Sequence, residues 1–259
     1  MFVSYQRTSG EVDAVMELLD SGLNDHEIAR RTSVSRSSIQ RWRTQGPPRI
    51  RKRATKEALS AWRPPDARSY SYLLGIYLGD GYLARASTAS PVLEISLDPR
   101  YPGIVGECST AIHQVVMTKA RASRRTTPRG EAIRLAAMSP LWPIVFPQHG
   151  SGKKHERRIA LNDWQREVVD RHPRQFLRGL IHSDGSRVVN RFTVNLAGGP
   201  REYAYVRYFF TNLSSDIRLL FCTSCAQLGI HWTRSSHKNI SVAAGESVAL
   251  LDSFVGPKT

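Results

Sequence analysis

The chain has 259 residues, with 37 Lys and Arg against 22 Asp and Glu, so its formal net charge is 37 − 22 = +15. Hydrophobic residues at 41% and charged residues at 23% are ordinary globular values, which excludes wholesale disorder and collagen-like or coiled-coil designs. The excess of basic groups points to a polyanionic partner. Cys108, Cys222 and Cys225 are too few for a disulfide framework, and no apolar run approaches the ~18 residues of a spanning helix. With no apolar leader at its start, the chain is expected to be soluble and cytoplasmic.

Val12, Val15, Met16 and Leu19 recur at helical spacing, and Ser21-Gly22 ends that helix. Asn24 is placed to cap a second helix, with Glu27 as its partner in a capping box and Ile28 and Ala29 turned inward. After Thr32-Ser33-Val34, Ser35 is placed to cap a third helix, whose Ile39 and Trp42 face inward while Arg36, Ser37, Gln40 and Arg41 face out. These spacings over residues 10–45 resemble a helix-turn-helix, although Ser33 stands where that motif often has a glycine of positive φ, so the turn is expected to be strained or differently shaped. The resemblance implies a third helix that enters the major groove of double-stranded DNA; a generic three-helix bundle is the other reading. Arg41, Arg43, Arg49, Arg51, Lys52 and Arg53 form a run of +6 without an acid, read as phosphate contacts rather than as a solvated linker face. Two Pro-Pro pairs place a linker at 46–69, which leaves 1–45 as a small first domain.

The remainder repeats itself. YLLGIYLGDG at 72–81 recurs as FLRGLIHSDG at 176–185, an offset of 104, and AIRLAAMSPLWPIVF from Ala132 recurs as NISVAAGESVALLDSFV from Asn239, with Ile133 against Ile240 at an offset of 107. Each copy, 70–150 and 174–259, reads as a helix ending in Asp-Gly, two strands, a helix, two strands and a closing helix, and 151–173 is a helical connector. The strands fall at 82–88, 91–98, 119–127 and 130–137 in the first copy, and at 186–196, 204–212, 231–237 and 239–244 in the second. The class is α+β.

The repeated helix resembles the LAGLIDADG motif of homing endonucleases: Gly75 and Gly179 match the glycine that lets two such helices touch, and Asp80 and Asp184 match its terminal acid. The resemblance spans about residues 70–257 and implies a monomeric, pseudo-twofold αββαββα double repeat straddling duplex DNA, with both acids at the base of the paired helices. Phosphodiester hydrolysis needs charge neutralised on the phosphate and an activated water, and two adjacent carboxylates attract the Mg²⁺ or Mn²⁺ that does both. No organic cofactor is expected. Asp-Gly as a plain helix ending is the alternative. Family endonucleases usually set a basic residue beside each metal site; here Lys238 is expected in that place, opposite Glu131 with Arg134 near it, which would make the centre lopsided. Leu78 and His182 occupy the place of an earlier acid, and His182 reads as a partly exposed helix-end residue with no ligand role. Nuclease-derived regulators that bind without cutting keep a second function open, a transcriptional regulator acting, like the enzyme, at the nucleoid.

Lys119, Arg121, Ser123, Arg125, Thr127 and Arg129 share one face of a predicted strand, suited to phosphates, and Arg187, Arg191, Thr193 and Asn195 share another, opposite an apolar back of Val188, Phe192 and Val194. Glu94 is out of keeping with such a surface unless it pairs with one of the arginines. Cys222, Cys225, His231 and His237 mimic zinc ligands, but the gap between the pairs is too short for a finger and the cysteines fall on a predicted helix, so zinc is rejected. Trp164 and Tyr205 are assigned to packing.

Overall fold

The computed structural model describes residues 9–47, 61–84, 90–128, 130–256 and 258. Arg49, Arg51, Lys52, Arg53 and Arg129, and positions 85–88 of the first predicted strand, lie outside the described residues. The chain divides into two compact units, Met1–Ala58 and Leu59–Thr259.

The first unit contains α1 (Ser9–Asp20), α2 (Asp25–Arg31) and α3 (Arg36–Gln45) around a core of Val12, Val15, Ile28, Val34, Ile39 and Trp42. Gly22, at φ +81, releases the chain after α1. Asn24 caps α2 by accepting from the Glu27 N–H at 2.9 Å, but the Glu27 carboxylate turns to Arg30 and Arg31, so only half of the expected box forms. Ser35 stands at the α3 N-cap with its hydroxyl on those of Ser37 and Ser38 and no backbone cap bond. Among the described residues Met117 alone of the non-glycines has positive φ, so the turn at Ser33 carries no left-handed strain.

The second unit is an α+β double repeat. In chain order it comprises α4 (Ala67–Asp80), β1 (Gly81–Ala84), β2 (Val92–Leu97), α5 (Pro102–Val116), β3 (Arg121–Thr127), β4 (Gly130–Met138) and α6 (Trp142–Val145). After α7 (Asp163–Arg171) come α8 (Pro173–Asp184), β5 (Gly185–Leu196), β6 (Gly199–Thr211), α9 (Ser215–Gln227), β7 (Thr233–Arg234), β8 (Asn239–Val242) and α10 (Gly245–Val255). Two antiparallel sheets result, ordered β1-β2-β4-β3 and β5-β6-β8-β7, so the copies share one topology. α4 starts at Ala67 on the side-chain cap of Asp66, and Trp62 packs edge-on against Tyr70 and Trp164, so the folded unit begins before residue 70.

α4 and α8 lie backbone to backbone. A Cβ on Gly75 would stand 2.5 Å from the Phe176 carbonyl oxygen and 2.7 Å from the Leu180 nitrogen, and one on Gly179 would stand 3.1 Å from the Gly75 Cα. Only glycine permits that approach, and it brings the two helix C-termini together.

The register corrects the second repeat offset. Gly81 pairs with Ile95 and Ile95 with Leu135, while Gly185 pairs with Phe210 and Phe210 with Ile240, so Ile240 is the counterpart of Leu135 (240 − 135 = 105), not of Ile133. A slip of two residues preserves alternation along a strand, which hid it in the sequence. The same pairs show where the copies differ. From Ile95 to Phe210 is 115 residues against 104 at the helices, eleven more, and ten are given back before Ile240. Copy one therefore has a long β3–β4 arm, copy two a long β5–β6 arm. β6 begins at Gly199, five residues before its expected start, and β7 shrinks to Thr233–Arg234.

Candidate metal and nucleic-acid site

Because α4 and α8 end side by side, Asp80 and Asp184 meet at their C-termini, and a Cβ on Gly79 would already stand 3.0 Å from the Asp184 Oδ2. Burial, and next the Asp184 charge, push the Asp80 carboxyl up to about 7. Burial also raises Asp184, countered by Asn212, whose Nδ2 donates to its Oδ2 at 2.6 Å. Two like charges in a poorly solvated corner call for a cation.

Two lysines answer in part. Lys154 Nζ donates to the Tyr77 carbonyl and, at 3.1 Å, to that of Gly79; Lys258 Nζ donates to the His182 and Gly185 carbonyls at 3.1 and 2.6 Å. Each lysine thus sits on the end of the helix that carries its own copy's acid. Burial lowers both amines, Lys154 to about 8, while both aspartates act to raise them. Lys154 follows Asp80 by 154 − 80 = 74 residues and Lys258 follows Asp184 by 258 − 184 = 74, and Gly152 and Gly256 before them have φ of +79 and +69. This pair was not among the expected residues, although Gly-x-Lys at 152–154 and 256–258, spaced by the 104 of the repeat, marks it. Each copy's helix end thus has a lysine on it, where a basic residue was expected in the second copy only. Lys238 is exposed in the turn before β8, and its register counterpart is Ile133 rather than Glu131. Glu131 pairs with Arg124, and Arg134 with Glu94.

His182 is buried, not partly exposed: its Nδ1 shares a hydrogen bond with the Tyr72 hydroxyl at 3.1 Å and its Nε2 faces the Val255 carbonyl at 3.2 Å. Burial and then the Arg178 charge lower it to about 4, so the ring is neutral at pH 7. Beside it Arg178 grips Glu107 with two bonds of 2.7 and 2.8 Å and donates to the Phe254 carbonyl at the end of α10. This network fastens α5, α8 and α10 together.

A cleft of about 550 Å³ opens beside Asp184, lined among others by Tyr82, Lys153, Lys154, His155 and Arg157. On the first sheet, cross-strand pairing places Leu83, Leu93, Ile95 and Leu135 on the helix-packed face and Tyr82, Glu94, Arg134, Arg121, Ser123, Arg125 and Thr127 on the open one. Arg121 and Arg125 thus share the expected face, while Lys119 is exposed in the loop before β3. Glu94 accepts from Arg134 and lies 3.9 Å from Arg125, which accounts for an acid on this surface.

On the second sheet the expected faces are reversed. Arg187 pairs with the buried Tyr208, so the face of Arg187 and Arg191 is the helix side, and Arg187 is held by Asp252 of α10 at 2.8 Å. The open face instead carries Phe192, Tyr203, Tyr205, Arg207 and Phe209, because the arm runs beyond the core and its apolar residues find no helix to cover them. Tyr205, assigned to packing, belongs to this face; Trp164 does pack, at 5.0 Å from Tyr70. In the first unit Arg36, Ser37, Gln40 and Arg41 are exposed along α3, whereas Arg43 donates to Asp25 and to the Leu23 carbonyl, tying α3 to α2. Cys222 and Cys225 are buried on α9, and burial raises both thiols.

Among the described residues no helix is long and apolar enough to cross a membrane. The chain matches no protein-family model and no curated protein. Among solved structures it is similar to the homing endonuclease I-WcaI bound to its DNA recognition sequence, at 11% identity over 81% of this chain and 91% of that one, with a TM-score of 0.48. It is likewise similar to I-DmoI in complex with DNA and Mn (13% identity, 74% and 99% of the chains, TM-score 0.44). A third is full-length DUF199/WhiA from Thermatoga maritima (12% identity, TM-score 0.43), where the match covers 76% of this chain and 58% of that one.

Proposed function

We propose that this protein is a metal-dependent double-stranded DNA endonuclease of the LAGLIDADG homing type, with Asp80 and Asp184 as the acids of its active centre. The observation that carries the reading is the matched pair of acid and lysine sets, Asp80 with Lys154 and Asp184 with Lys258, at the joined ends of α4 and α8. The donor set suits a hard divalent ion. Among the described residues no three His, Cys, Asp or Glu side chains converge on one point, and Mg²⁺ is commonly held by one or two carboxylates, with phosphate oxygens and water completing its shell. Mg²⁺ or Mn²⁺ bound there supplies neutralisation of the phosphate and a more acidic water. Asn212 fixes one oxygen of Asp184 so that the other is free to face the ion. Lys154 and Lys258 hold positive charge where negative charge builds on the phosphate, and Lys153, His155 and Arg157 line the approach. Arg121, Arg125 and Arg134 meet the duplex from the first sheet, and Arg36, Ser37, Gln40 and Arg41 of the first unit read a second segment of it.

A non-cleaving regulator is the second reading, favoured by one observation: the two ammonium groups already offset the two carboxylates without a metal. Asp80→Asn and Asp184→Asn separate the two. Each keeps the side-chain shape and removes a charge that repels phosphate. On a duplex selected for binding by the full chain, each variant is expected to bind as tightly as wild type or tighter and to lose Mg²⁺-dependent cutting. Variants that cut at the wild-type rate would exclude these acids from the reaction.

A further inference from the structure

The two arms offer DNA different chemistry. On the open face of the β3–β4 arm stand Arg121, Ser123, Arg125, Thr127 and Arg134, all able to hydrogen-bond to base edges. On the open face of the β5–β6 arm the rings of Phe192 and Tyr203 stack at 5.5 Å, Tyr205 meets Phe192 edge-on at 5.7 Å, and the Arg207 guanidinium lies between Tyr205 and Phe209, 4.9 and 5.3 Å from their centroids. Phe192 is 43% and Tyr203 42% exposed, a large apolar surface to leave in water. Its surroundings do not suit an apolar protein partner: on the same open face Arg201 and Arg207 stand without an acid, since Glu202 lies on the helix side with Arg187 and Arg191. A surface both apolar and cationic fits a polyanion that displays methyl groups. In the major groove that group is the thymine 5-methyl, the one apolar feature a base pair shows there.

We infer that the β5–β6 arm recognises a thymine-rich half-site through Phe192, Tyr203 and Tyr205, while the β3–β4 arm reads the other half by hydrogen bonds, so that the target is asymmetric. This rests on the DNA-binding reading above and adds to it what one half of the target must contain. The eleven-residue lengthening of this hairpin extends the aromatic face past the protein core.

The test uses the full-length protein and a duplex selected for binding to it. Each thymine is replaced in turn by deoxyuridine, which removes the 5-methyl group and nothing else. The expected result is a loss of about fourfold in affinity for each thymine of one half-site, the factor that burying one methyl group carries, with no change in the other half. Phe192→Ala and Tyr203→Ala should erase the thymine–uracil difference; Phe192→Leu, which stays apolar, should retain part of it. Uracil tolerated at every position, or a difference that survives both alanine variants, would overturn the inference, and so would a dimer that Phe192→Ala disperses, since the row would then belong to a second copy. Failure to enrich any duplex would instead sink the DNA-binding reading itself.

Discussion

Lys154 and Lys258 each do two things that a sequence does not display: they cap the carbonyls of a helix end and they face a carboxylate pair. Lys154→Met and Lys258→Met keep the aliphatic stem and remove the charge, so each is expected to slow cutting by about 100-fold, the scale of losing one charge-stabilising donor, while changing affinity for the selected duplex little. Single-turnover cleavage beside a binding titration checks this; full activity in both variants would return the lysines to a purely structural role. The acids and glycines were legible because their motif recurs within ten consecutive residues. The lysines were not, since 74 residues separate each from its acid and only the fold closes that distance. His182 was misjudged for a related reason, as its hydrogen-bond partners Tyr72 and Val255 lie 110 and 73 residues away. Its folded-state value of about 4, against 6.5 unfolded, means that unfolding takes up a proton as the pH falls. The stability it contributes is therefore complete above pH 6.5 and is lost as the pH falls through 4, up to about 3 kcal/mol. Asp80, raised to about 7, acts in the opposite sense, holding its proton more tightly when folded. The informative quantity is thus the difference between wild type and His182→Gln in urea unfolding from pH 7 to 4, where the variant should lose less stability than wild type; parallel curves would contradict it.

Among the elements, the α4–α8 pair carries the architecture. Gly75→Ala places a methyl group against the Phe176 carbonyl, and main chain cannot step aside as a flexible side chain can. A loss of about 3 kcal/mol is expected, with α4 and α8 pushed apart and Asp80 drawn away from Asp184, so cutting should fall further than stability alone requires. Urea unfolding and cleavage measured on the same preparation check both parts; an unchanged midpoint would show that the helices do not touch there. The sheets teach a different lesson. Alternation in β5 correctly separated its residues into two sets, but the choice of core face assumed that Phe192 and Val194 must be buried. Arg187, paired with Tyr208 and Asp252, occupies the helix side instead. On the first sheet the same reasoning held for Arg121, Ser123, Arg125 and Thr127, because the odd positions of that strand face open space beside Arg134.

For the molecule as a whole, two near-equal copies with a helical connector were visible from the repeat, and the structure has that plan, with α7 opened by a full capping box from Asn162 and Gln165. The exchange of arm lengths was not visible, since insertions of eleven residues in one hairpin and deletions of ten in the next nearly cancel in the overall offset. Composition indicated the partner's charge without its identity: +15 favours any polyanion, and only the joined acid and lysine sets argue for a reaction. That claim meets its most direct test in wild-type protein incubated with its own selected duplex, once with Mg²⁺ or Mn²⁺ and once with EDTA.

 Both strands of that duplex are expected to be cut when the metal is present and to stay whole in EDTA; a duplex bound tightly yet left intact with either metal would contradict it.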